Sequence, residues 1–163
     1  LHASESHKIG SFLFESRQNL SRHKLKEHYQ LEDIETELDN LILEAERDNS
    51  KIHLFFLDLN PIVDAIAVHF PYIEKYYLLK DIQGTLSLLS GEGGFCSTLG
   101  TKTTILALKT RGLKRSTILV HQMNQLLTER FSLENLKLPE LAATVRSWPE
   151  DGQDSKTLLS EFR

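Results

Sequence analysis

The feature that most constrains this chain is the largely apolar stretch 52–89, punctuated by prolines at Asn60-Pro61 and Phe70-Pro71. No other part is as apolar for as long, so this stretch must supply most of the core. Its prolines set the local geometry. Asn60 can cap the free amides of a helix, and Pro61 at the first position has no amide to leave unsatisfied. The residue before a proline avoids helical geometry, so Phe70-Pro71 repeats the device. The pattern predicts two consecutive helices, over 61–70 and 71–90.

Upstream, Leu31, Ile34, Leu38, Leu41 and Ala45 are spaced three and four apart, which puts them on one helical face. Eight acids and one base, Arg47, lie between Glu32 and Asp48, so the opposite face is strongly negative. The turn-favouring run Asp48-Asn49-Ser50 should end this helix. Downstream, 90–100 holds four glycines in eleven residues and reads as a loop. Ser116 is placed to cap a helix over 117–130, Pro139 to start a shorter one to Arg146, and Asp154 or Ser155 to cap a last one. The runs 52–57 and 103–109 fit a buried strand or a buried helical turn equally well.

With about seven helical segments and prolines at helix starts, the expected class is all-α, an irregular helical bundle or short α-solenoid-like domain. The alternative is α/β with a small sheet from 52–57, 103–109 and 116–121. The length of 163 residues suits one helical domain, 1–163, with 1–10 frayed. A start without Met suits an excised part of a longer chain. A net charge of −4 argues against wholesale attraction to nucleic acid or membrane. No segment approaches the ~18 consecutive apolar residues that a membrane-crossing helix needs. The single cysteine, Cys96, excludes an internal disulfide and suits an intracellular setting, cytoplasmic or nuclear.

Candidate chemistry is sparse. Gly94, Gly100, Lys102 and Thr103 approach a phosphate-binding P-loop, but one residue too many separates the glycines and Thr101 intervenes before the lysine. Cys96 with His121 as its base lacks a third, orienting group. His53, His69 and His121 sit in apolar runs, and no histidine falls in a metal-binding spacing. The expectation is therefore no catalytic residues, no metal and no cofactor.

The run Phe56-Leu57-Asp58-Leu59-Asn60-Pro61-Ile62-Val63-Asp64 is an apolar strand candidate ending in Asp-x-Asn, followed by a helix with another Asp. It resembles the opening of a PIN-type nuclease, whose first carboxylate helps bind a divalent metal at a strand's C-terminal edge. That resemblance covers 51–64 and implies further acids on later units, for which Asp81, Glu92 and Glu129 are available. Leu59 and Pro61 depart from the family's pattern. The same residues also read as a helix cap with an acid in the first turn.

From Gly93 to Thr128 there is no acid, while Lys102, Lys109, Arg111, Lys114 and Arg115 supply five positive charges. Such a patch can meet an acidic protein surface, engage nucleic-acid phosphates, or pair with the acidic 32–48 helix of its own chain. The reading drawn from sequence is a non-catalytic protein–protein interaction or scaffold domain of an intracellular regulatory complex. Its partner-binding residues are Lys102, Lys109, Arg111, Lys114 and Arg115. A nucleic-acid-binding helical domain is the alternative, followed by the PIN-like metal-dependent nuclease.

Overall fold

In the computed structural model the described residues are 31–90, 93–100, 102–111, 115–132 and 136–162. The expected frayed segment 1–10 lies outside them. The elements run α1 (Leu31–Asp48), β1 (Lys51–Asp58), α2 (Asn60–Ala67), α3 (Lys75–Ser87), β2 (Phe95–Leu99), β3 (Thr103–Thr110), α4 (Ser116–Arg130), β4 (Ala142–Trp148) and α5 (Ser155–Leu158). Four strands form one antiparallel sheet in the order β2-β3-β1-β4.

The chain is thus α/β, and the all-α expectation is overturned. The cause is burial of the sheet on both faces. Ile52, Leu54 and Phe56 of β1 join Ile105 and Ala107 of β3 in a core under α1 and α5. Phe55 and Leu57 of β1 join Leu106 and Leu108 in a second core with α2, α3 and α4. A strand covered on both sides loses polar alternation and reads as a continuous apolar run. Both 52–57 and 103–109 lie within strands, whereas 116–121 begins α4.

Two strands form where a loop and a helix were expected. β2 occupies 95–99 of the glycine-rich segment, and β4 replaces the helix expected from Pro139 to Arg146. β4 pairs along its whole length with β1, from Ile52↔Trp148 to Asp58↔Ala142. Long-range pairing here overrides local helix preference. The helix expected at Pro71 starts instead at Lys75, because 68–74 turns through backbone bonds from Phe70 N–H to Ala67 O and from Ile73 N–H to Phe70 O. Those turns bury Phe70 and Ile73.

α1 and α5 follow their sequence signals, whereas α4 begins at Ser116 itself, with no side-chain cap. Ile34, Leu38, Leu41 and Ala45 are buried along α1, which ends at Asp48. Asn49 then takes φ +58, a left-handed conformation that asparagine tolerates. Asp154 Oδ1 accepts from Thr157 N–H at 2.8 Å and caps α5. Two polar clamps tie the helices to the sheet and to each other. Gln83 Nε2 donates to Thr98 Oγ1 and Thr104 Oγ1, each at 2.9 Å. Arg130 donates to both carboxylate oxygens of Asp81, at 3.1 and 3.2 Å.

Candidate functional site

The antiparallel pairing of β1 with β3 decides which polar residues meet. Its register ends at Leu57↔Thr104, so the next positions are Asp58 at the end of β1 and Thr103 at the start of β3. Lys102 precedes Thr103 in the β2–β3 hairpin, where Gly100 takes φ +66. On the other side of β1, Asp58 pairs with Ala142 of β4. A carboxylate, an ammonium and a hydroxyl thereby gather at one rim of the sheet.

These residues line a groove of about 530 Å³ that also takes in Phe56, Thr144, Glu161 and Phe162. Phe162 stands over Phe56 with ring centroids 5.1 Å apart, giving the groove an aromatic wall. Glu161 Oε1 accepts from Arg146 Nε at 3.3 Å. Asp58 Oδ1 accepts from Asn60 N–H at 3.1 Å, so Asp58 holds the first turn of α2. Asn60, expected to cap that helix, provides no side-chain cap.

Among the described basic residues, Lys102 lies at the opposite end of β3 from Lys109 and Arg111. Lys109 reaches Asp48 and Glu44 of α1, and its side chain is only 15% exposed. The hydrogen bond with Lys109 holds the Asp48 carboxyl below its ordinary range and raises the Lys109 ammonium in return. Arg111 lies 3.9 Å from Asp48 but remains open to solvent. Arg115 is exposed at the start of α4, and Lys114 lies outside the described residues. Lys102 is seven residues from Lys109 along β3, roughly 23 Å at strand rise. It faces the groove instead.

Among the described residues, the acids named for nuclease chemistry do not converge. Asp64 pairs with Lys75 at 2.8 Å, and Asp81 is committed to Arg130. Glu129 is exposed on α4, and Glu92 lies outside the described residues. Among the described residues no group of three or more His, Cys, Asp or Glu side chains could hold a metal ion. Cys96 is half-buried and lines a separate cleft of about 200 Å³ between α3 and β2. His121 lines another cavity, against Asn124 and Glu140. No helix among the described residues is long and apolar enough to cross a membrane.

No protein-family model and no curated protein sequence matches the chain. Solved structures do match, and they define the class of fold as that of GGDEF domains. A sensory box/GGDEF family protein from Caulobacter crescentus aligns with TM-score 0.54 and 15% identity over 80% of this chain and 85% of that one. The GGDEF domain of DgcB from the same organism, solved in complex with c-di-GMP, aligns with TM-score 0.55 and 12% identity over 80% and 78%. The active GGEEF domain of a diguanylate cyclase from Vibrio cholerae aligns with TM-score 0.53 and 17% identity over 75% and 78%. At these identities the likeness is one of fold. Neither string that these names spell, GGDEF or GGEEF, occurs in the chain; its glycine pair Gly93-Gly94 is followed by Phe95-Cys96.

The likeness to cyclase domains overturns the expectation of a non-catalytic scaffold. The nucleic-acid and nuclease alternatives give way with it, since Lys109 and Arg111 turn to α1 and the described acids stay apart. Sequence reasoning had singled out both Asp58 and Lys102, but for different chemistries. It missed Thr144, Glu161 and Phe162, whose only signal is spatial.

Proposed function

We propose that the chain is a c-di-GMP-related domain that takes a guanine nucleotide in the groove between Asp58, Lys102 and Phe162. The observation that carries this reading is the meeting of those residues at the sheet rim, in a fold shared with a diguanylate cyclase domain. The groove offers each part of a nucleotide a complementary group. Phe162, half-buried over Phe56, presents a face on which a base can stack. Lys102 supplies a positive charge for phosphate, and the hydroxyls of Thr103 and Thr144 supply further hydrogen bonds. A ligand of this kind implies an intracellular setting.

Calorimetric titration of the full chain with GTP and with c-di-GMP tests the reading. Saturable binding is expected for at least one of them, weakened about tenfold by Phe162→Ala through lost stacking. No saturable heat with either nucleotide would overturn it. Chromatography of the GTP mixtures separates turnover from simple binding.

A protein partner is a further part of the proposal. Arg111, just after β3, and Arg115, just before α4, are both exposed, as are Leu88 after α3 and Ile118 on α4. Basic and apolar side chains together fit an acidic, amphipathic protein surface. Arg111→Glu with Arg115→Glu should abolish capture of such a partner while leaving nucleotide binding unchanged.

A further inference from the structure

The charges of the groove suit a phosphate better than a divalent cation. Magnesium usually reaches a nucleotide site held by one or two carboxylates together with phosphate oxygens. Here Asp58 has one oxygen committed to Asn60 N–H, and Glu161, the second carboxylate, is bound to Arg146. The ammonium of Lys102 stands on the same groove, is exposed, and pairs with no described residue. Its charge repels a second cation and attracts an anion. Arg146 offsets Glu161 and Lys102 offsets Asp58, so the groove lacks the net negative charge that concentrates a metal ion.

Resting on the guanine-nucleotide reading, we propose that Lys102 supplies the counter-charge for the ligand's phosphates, so the groove takes its nucleotide without a divalent cation. The hairpin fixes where that charge sits. Gly100 turns the chain in a left-handed conformation, and Thr103 enters the paired strand directly after Lys102. A lysine here acts as a compact point charge with three donors, able to follow phosphates of different number and position. Affinity then follows the number of phosphates and falls with ionic strength.

The experiment titrates the full chain with guanosine, GMP and GTP, each in EDTA and again in magnesium. Affinity should rise from guanosine to GTP, and GTP should bind equally in the two buffers to within about twofold. Lys102→Glu should weaken GTP about tenfold or more, leave guanosine unchanged, and leave thermal unfolding unchanged because the side chain is exposed. Lys102→Arg should retain binding. If GTP binds only with magnesium, or Lys102→Glu binds it as well as the parent chain, the role of Lys102 is overturned and the nucleotide reading stands. If none of the three binds in either buffer, the role of Lys102 is overturned, and the nucleotide reading falls with it when c-di-GMP fails to bind as well.

Discussion

At the Asp81–Arg130 pair a single substitution should cost the fold several kcal/mol. The Asp81 side chain is 2% exposed and that of Arg130 is 22% exposed, so the two ends of the pair differ in access to water. Arg130→Met strands a buried carboxylate without its guanidinium, and breaking a buried pair in this way costs about 3–5 kcal/mol. Partial exposure at the arginine end places the value near 3 kcal/mol, a large share of a domain stability of ~5–15 kcal/mol. Asp81→Asn keeps the shape and an acceptor, and Arg130 can turn toward solvent, so its cost is about 1–2 kcal/mol. The double variant should cost less than the sum, because each change removes the reason for the other's penalty. Urea unfolding followed by far-ultraviolet circular dichroism gives all four stabilities. If Arg130→Met costs less than Asp81→Asn, or the two costs simply add, water reaches Asp81 and the argument from burial is wrong.

Two further outcomes follow from local geometry. Asp48, Glu150 and Asp154 are held below the ordinary carboxyl range, mainly by side-chain hydrogen bonds with Lys109, Lys51 and Thr157. A depressed carboxyl contributes stability that is present above its unfolded value and lost as pH falls through its folded one. Stability should therefore decline below about pH 4, and Lys109→Met should flatten that decline in urea midpoints taken from pH 6 to pH 3. Gly94→Ala should destabilise by about 1–3 kcal/mol, since the added Cβ would meet Ser90 Cβ at 2.5 Å and Ala107 O at 2.6 Å. A thermal midpoint equal to that of the parent chain would contradict the close packing of β2 against β3.

The legible parts of the fold were those whose signal is local. The three-and-four spacing of Leu31 to Ala45 marks α1 because only one of its faces is buried. Asp154 marks the start of α5 because a cap is chosen by the next three residues. The sheet was hidden for the opposite reason. Phe55 and Phe56 are both buried, on opposite faces, so adjacent positions of β1 look alike. β4 runs Ala142-Ala143-Thr144-Val145-Arg146, at the sheet's edge, and shows no strong period of its own. The groove was half visible. Asp58 and Lys102 each stood out, but their meeting depends on the β1–β3 register, which aligns residues some fifty positions apart. Glu161 and Phe162 reach it only because α5 returns the chain to the sheet.

The central claim is that a guanine nucleotide occupies the rim of the sheet. Amide nuclear magnetic resonance of the labelled chain, titrated with GTP and with c-di-GMP, reports the place as well as the event. Saturable shifts centred on Asp58, Lys102, Thr103, Thr144 and Phe162 are expected. Shifts centred instead on Ser87 and Cys96, along the α3–β2 cleft, or no saturable shifts at all, would contradict that claim.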